Sequence, residues 1–310
     1  MTEMNISQKE TNSQTSSNIL TQEFNLDFIP LGISENRAGN YDNYLRTSIY
    51  HIMKMKKMLR EFQTPLENEN TFKIFKAKNY SKDKKILLLD LDETLIHADF
   101  MEECPENQKD KYDAIISFYT EEPNNENTNN ENSDNNTTDD ESKDESREKI
   151  LYKVGIFLRP KVKEFLQEIS KYFDIGIFTA SWPEYADAAI NYLDPEEKII
   201  KFRLYRNHCV NVGGLIKVKD LNILGDICLD KIVLLDNNIY SFANQLSNGI
   251  LINSFFGDKN DDELSNVTKY LIEYIFPSAD IRKVNEQFFG FETILNALEK
   301  INFWYILITF

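Results

Sequence analysis

The aliphatic run Ile86-Leu87-Leu88-Leu89 stops at Asp90, and a second carboxylate, Asp92, follows one residue later. Without polar alternation, such a run reads as a strand buried on both faces, the situation of a parallel sheet covered by helices. Ligands of open α/β sheets gather at the carboxyl ends of their strands. The change at Asp90 therefore predicts a site. Two neighbouring carboxylates oppose each other's ionisation unless a cation is near, so a divalent metal is the expected companion. For any isolated D-x-D pattern the plainer alternative is a solvated turn.

The pattern recurs downstream. Phe173–Phe178 is a second apolar run, ending at Thr179-Ala180-Ser181, and Lys231–Asp236 is a third, ending at Asp236. Between them Arg159-Pro160 opens a helix with Val162, Phe165, Leu166 and Ile169 on one face, and Pro183–Leu193 reads as another helix. Ile199–Tyr205 leads through a loop to Lys219, and an amphipathic helix over Asp261–Phe276 covers the sheet. Strands alternating with helices predict an α/β fold, a parallel sheet with helices on both faces. In a doubly wound sheet Asp90, Thr179 and Asp236 would converge on one crevice.

Tyr112–Tyr119 alternates apolar and polar residues and pairs naturally with Ile150–Leu158 as a small β-hairpin insert. Residues 121–149 between them hold eleven acidic and three basic residues, a local charge of −8, and no aliphatic side chain. So little apolar surface cannot offset the entropy of ordering, which predicts a solvated loop. Residues 1–40 are read as a disordered arm and 41–66 as an amphipathic helix, which either packs on the domain or serves a partner or a basic localisation signal. The folded domain is placed at 84–298. The apolar tail, 299–310, is read as a packed last strand or the start of a truncated anchor.

The formal charge of −16 argues against a nucleic-acid footprint, which needs a basic surface. Three cysteines without paired spacing suggest reduced thiols in a nuclear or cytoplasmic compartment. No signal-peptide core occupies Met1–Gln22 and no run of about 18 apolar residues occurs, so no membrane association is expected.

Asp90-Leu91-Asp92-Glu93-Thr94-Leu95-Ile96-His97 resembles the first motif of the haloacid-dehalogenase-like (HAD-like) phosphatases, in the D-L-D-E-T-L-[IV]-H form of the FCP/SCP family of carboxy-terminal-domain phosphatases, also called the NLI-interacting-factor-like domain. Thr179-Ala180-Ser181-Trp182-Pro183-Glu184-Tyr185-Ala186-Asp187, Phe202–Cys209 and Val218-Lys219-Asp220-Leu221 are similar to further family motifs, and the resemblance covers about Lys84 to Phe256. Where the family usually reads D-N-S-P, this chain has Asp236-Asn237-Asn238-Ile239.

The resemblance implies a HAD-like (Rossmannoid) fold without a large cap domain and a Mg²⁺-dependent phosphatase of phosphoserine or phosphothreonine in proteins, such as Ser-Pro sites of the RNA polymerase II carboxy-terminal domain. Asp90 is the expected nucleophile, forming an aspartyl-phosphate, and Asp92 the acid and base. Mg²⁺ would be held by Asp90, Asp236, Asn237 and the carbonyl of Asp92. Thr179 and Lys219 would steady the phosphoryl oxygens, with Arg206 a second phosphate ligand. Phe100, Trp182 and Tyr185 would line a shallow apolar pocket beside the metal. His208-Cys209 begins like the H-C-x5-R loop of cysteine phosphatases, but Leu215 stands where that loop needs Arg, so Cys209 is read as a packed thiol and His97 as a structural hydrogen-bonder. The alternatives are a catalytically inactive docking module and a small-metabolite phosphatase.

Overall fold

A computed structural model describes residues 47–54, 56, 84–100, 110–121, 149–214, 216–225 and 227–309. The arm, most of the acidic insert, Leu215 and the outer parts of the amphipathic helix lie outside the described residues. The chain runs β1 (Lys85–Leu89), β2 (Ile96–Phe100), β3 (Ala114–Glu121), β4 (Lys149–Leu158), α1 (Val162–Ile169), β5 (Phe173–Phe178), α2 (Pro183–Leu193) and β6 (Ile200–Leu204). It continues through β7 (Val210–Val212), β8 (Ile216–Val218), β9 (Ile232–Asp236), β10 (Gly249–Leu251), α3 (Glu263–Tyr270), α4 (Ile281–Phe289) and α5 (Phe291–Thr309). Residues 47–54 are helical ahead of β1.

The central sheet is parallel throughout, in the order β10-β9-β1-β5-β6. Its middle strand is the aliphatic run from which the reading began. Ile86–Leu89 are all buried, and Leu89 stands opposite Ile177 of β5 and Leu235 of β9. Crossovers between parallel strands are almost always right-handed, and with the strand order β1-β5-β6 that rule puts α1 and α2 on one face. The four residues expected on the inner side of α1, Val162, Phe165, Leu166 and Ile169, are its buried ones. Short 3-10 turns between β9 and β10 pack against β9, and α4 and α5 pack beside the second of them. In the helix over 47–54, Ser48, Ile49, Ile52 and Met53 are buried, and His51 Nδ1 lies 3.1 Å from the Tyr240 hydroxyl. Packing on the domain is therefore what the described part of this helix does.

Two expectations are corrected. The expected β3–β4 hairpin is present, but a third strand extends it into an antiparallel sheet, β2-β4-β3. After the Asp90–Leu95 turn the chain re-emerges as Ile96–Phe100 and pairs with β4, a strand hidden in the motif because it is only five residues long. The β3–β4 ladder closes at Glu121 opposite Lys149, so the acidic segment joins the two strand ends. The apolar tail is neither a strand nor a separate segment. It continues one helix that starts at Phe291, one residue after Gly290 ends α4 in the left-handed region at φ 61°. A short apolar run without alternation does not by itself tell strand from helix. Among the described residues no helix is long and apolar enough to cross a membrane.

Candidate active site

Three adjacent strands, β9, β1 and β5, bring Asp236, Asp90 and Thr179 to the same edge of the sheet. Asp90 N donates to Leu235 O at 3.0 Å, which holds the end of β1 against β9. The chain then reverses. Leu95 N and Ile96 N both donate to Leu91 O, at 2.9 and 3.1 Å, and Glu93 takes a left-handed conformation at φ 56°. That conformation is uncommon for a residue with a Cβ. The turn returns Thr94 to Asp90, where its hydroxyl donates to Asp90 Oδ2 at 2.9 Å.

Lys219 arrives from a hairpin that periodicity did not reveal, β7 paired with β8, and its backbone N–H donates to Ser241 O at 2.7 Å. Its ammonium is buried between two carboxylates, 2.6 Å from Asp90 Oδ1 and 2.6 Å from Asp236 Oδ2. Burial alone would lower the Lys219 pKa, but Asp236 and Asp90 outweigh it and hold the group above its ordinary value. One cation does not balance the pair. Burial first, and then Asp90, push the Asp236 carboxyl up to about 7 against the opposing pull of Lys219. The Asn238 N–H donates to Asp236 Oδ1 at 2.8 Å.

Asp92 lies away from this cluster and keeps different company. Ser181 Oγ donates to its Oδ2 at 2.6 Å, and the Tyr185 hydroxyl donates to its Oδ1. Burial pushes Asp92 up to about 6; Asp90 and Glu93 add to the rise and the two hydroxyl bonds oppose it. Thr179 is buried and its Oγ1 accepts the Ser181 N–H at 3.0 Å. Ser181 O in turn accepts the Arg206 N–H at 3.1 Å, and the Arg206 guanidinium stacks over the Trp182 ring, 5.2 Å from its centroid.

Of the three residues read as an apolar pocket, Phe100 and Tyr185 have ring centroids 5.2 Å apart. Phe100 and Trp182 are 61% and 62% exposed, while Tyr185 is buried. Trp182 is thus on the surface beside Arg206 and is not a core side chain.

The donors suited to a metal are oxygens. Thr94 Oγ1, bonded to Asp90 Oδ2, also lies 3.4 Å from Asn237 Oδ1, so these two acceptors face a common point. Asn237 Nδ2 donates to Ser254 Oγ at 3.0 Å, which turns the amide oxygen the other way. Among the described residues no group of three or more His, Cys, Asp or Glu side chains could hold a metal. A cation here would instead take two carboxylates, an amide oxygen and a main-chain carbonyl, and the unbalanced charge around Asp90 and Asp236 suits a hard divalent ion of the Mg²⁺ type. His97 Nδ1 contacts Glu93 Oε1 at 3.2 Å and its ring stacks on Phe157. Burial pushes the Cys209 thiol up to about 11, and its Sγ lies 3.8 Å from the Thr179 and Tyr205 carbonyls, the setting of a packed thiol.

Sequence reasoning missed Arg159, read only as the opening of a helix. It is fully buried and spans four acceptors: Asp261 Oδ1 and Oδ2 at 2.8 and 2.7 Å, Asn253 O at 2.8 Å and Thr94 O at 3.0 Å. It thereby ties the turn after Asp90 to the loop before α3. Ser181 was quoted only as part of a motif. The one local signal for it was its place two residues beyond a strand-ending threonine.

The sequence profile of a family described as NLI interacting factor-like phosphatase matches residues 85–282. CTD small phosphatase-like protein 3 of Caenorhabditis elegans is 44% identical over 137 residues, 44% of this chain and 47% of that protein. CTD small phosphatase-like protein 2 of Dictyostelium discoideum is 35% identical over 221 residues, 71% of this chain and 32% of that protein. CTD nuclear envelope phosphatase 1B of Danio rerio is 32% identical over 201 residues, 65% of this chain and 71% of that protein. This chain spans 47% of the length of the first of these and 32% of the second.

Proposed function

Because this chain belongs to the NLI interacting factor-like phosphatase family, we propose that it is a Mg²⁺-dependent phosphatase of phosphoserine and phosphothreonine in proteins that works through an aspartyl-phosphate on Asp90. The observation that carries the reading is the division of labour between two nearby carboxylates. Asp90 is fixed by Lys219 and Thr94 at the end of the central strand, while Asp92 is held apart by two hydroxyls. Asp90 forms a bond to phosphorus as the bond from phosphorus to the serine or threonine oxygen breaks. Asp92 gives its proton to that departing oxygen, releasing the alcohol, and as a carboxylate then takes a proton from the water that hydrolyses the aspartyl-phosphate. Lys219, Thr179 and Arg206 would serve as donors to the phosphoryl oxygens. When bound by Asp90, Asp236, Asn237 and the Asp92 carbonyl, Mg²⁺ would offset the negative charge that substrate and carboxylates bring together.

A protein substrate is favoured over a small metabolite by openness. Among the described residues, the chain between Asp92 and β5 contributes the three-stranded sheet and α1, and that between Thr179 and Lys219 contributes α2, β6 and a short hairpin. Neither is a cap that could close over a small ligand and exclude water. The intact Asp90, Asp92, Lys219 and Asp236 speak against an inactive docking module. A nuclear or cytoplasmic setting accords with the free thiols of Cys209 and Cys228.

The test is a panel of phosphopeptides and sugar phosphates assayed with Mg²⁺ and with EDTA. A Ser-Pro phosphopeptide should exceed sugar phosphates by at least about tenfold in kcat/KM, equivalent to roughly 1.4 kcal/mol of transition-state binding. Trp182→Ala should narrow that ratio. Equal or better turnover of a sugar phosphate would promote the metabolite reading, and no turnover of any phosphoester the docking one.

A further inference from the structure

Asp92 is gripped at both oxygens by hydroxyls that come from neighbouring turns of the chain. Ser181 Oγ reaches Oδ2 at 2.6 Å from the loop after β5, and the Tyr185 hydroxyl reaches Oδ1 from the first turn of α2. With one donor on each oxygen the carboxyl plane cannot rotate without breaking a bond. Its direction is set by the Thr179–Tyr185 segment as well as by its own turn.

Tyr185 has a second attachment. Its ring is buried against the insert sheet, with centroids 5.2 Å from Phe100 and 5.8 Å from Phe118, and Phe118 stacks on Tyr152 at 5.6 Å. One side chain therefore has its ring in the aromatic face beside the crevice and its hydroxyl on the carboxyl. Ser181 is similarly shared: its N–H bonds Thr179 Oγ1 and its carbonyl receives the Arg206 N–H.

We infer that Ser181 and Tyr185 are positioning residues for Asp92, and that Tyr185 couples the aromatic face which receives the substrate to the group that protonates its leaving oxygen. The inference rests on the phosphatase reading above and deepens it. The Tyr185 hydroxyl faces the Asp92 carboxyl and donates to it. A proton donor displaced by a fraction of an ångström still fits the site but transfers late. Loss of Tyr185's hydroxyl should therefore be felt where the departing oxygen most needs a proton, and in kcat more than in KM, because the phenylalanine ring still fills the face.

The experiment compares wild type, Tyr185→Phe and Ser181→Ala on p-nitrophenyl phosphate, phenyl phosphate and a phosphoserine peptide. The quantity read is kcat/KM, which covers the steps up to departure of the leaving group and not the later hydrolysis. Each variant should lose about tenfold more on the phosphoserine peptide than on p-nitrophenyl phosphate, with phenyl phosphate between, a scale within the roughly 10²-fold cost of misplacing a reacting group by 1 Å. The loss should lie in kcat, and neither substitution should add to it in an Asp92→Asn background. Equal losses on all three substrates, losses confined to KM, or full additivity with Asp92→Asn would overturn the inference while leaving the phosphatase reading standing. A wild-type chain inactive on all three would refute that reading and the inference with it. Should Tyr185→Phe not fold, as judged by melting, Ser181→Ala carries the same test.

Discussion

Arg159, among the described residues, is the most buried cation outside the Asp90–Asp236 cluster, and Arg159→Lys keeps its charge yet should be strongly destabilising. The guanidinium makes two parallel bonds to Asp261 and further bonds to the carbonyls of Asn253 and Thr94. Its planar fork can serve these directions at once, whereas an ammonium on a flexible stem cannot. A lysine that keeps Asp261 leaves both carbonyls without their donor, and an unsatisfied buried polar group costs about 1–3 kcal/mol. Two such groups, with the second Asp261 bond lost as well, give a destabilisation of about 3 kcal/mol. For a domain of 150–250 residues that corresponds to a fall in Tm of about 6–12 °C. Activity should fall too, well below the melting range, because the Thr94 carbonyl is on the same residue as the hydroxyl that steadies Asp90. Thermal melts by circular dichroism, paired with turnover at 25 °C or below, read both effects. A variant melting within about 3 °C of wild type would show that the fork is dispensable.

Asp90→Asn should remove turnover while leaving a cooperative melt; more than about a hundredth of wild-type activity, on a scale set by the 10²–10⁴-fold worth of a general acid alone, would refute its assignment as nucleophile. Replacing residues 122–148 by a two-residue turn shortens the loop by about four halvings and should raise stability by at most about 2 kcal/mol, since each doubling of loop length costs only about 0.6 kcal/mol; a loss of more than about 1 kcal/mol in a urea melt would mean the segment contributes structure. The raised Asp236 carboxyl makes a signed prediction for the metal-free protein in EDTA. Its folded pKa lies above the unfolded value, so the stability it lends is complete below about pH 4 and is lost as pH rises toward 7. Asp236→Asn should accordingly be the more stable protein at pH 7 in EDTA, with the gap closing by pH 4, and excess Mg²⁺ should raise the Tm of wild type only. A pH-independent gap would refute it.

How much of this site the sequence announces depends on the range of the signal. Asp90, Thr179 and Asp236 were legible because each closes an apolar run, and the alternation of such runs with helices is a periodicity that a reader can count. The same counting located α1 by its four inward residues and α2 by its proline start. It failed for β7, β8 and β10, three residues each, which are too short to show a period. Lys219 was therefore placed at the crevice by family resemblance and not by any pattern of its own, although the β7–β8 hairpin is what delivers it.

The bonds that define the chemistry have no local signature at all. Ser181 and Tyr185 stand 89 and 93 residues from Asp92, and Lys219 stands 129 from Asp90. Tyr185 was marked for its ring, which is the part that periodicity and apolarity report. Its hydroxyl acquires a partner only when α2 is laid against the turn after β1, and Arg159 acquires its four acceptors in the same way. Residue types at strand ends can thus nominate the participants, but the different surroundings of the two carboxylates are made by contacts that only the folded sheet creates. This is why Asp90 and Asp92, indistinguishable as letters one residue apart, come to have opposite surroundings: one beside a buried ammonium, the other between two hydroxyls.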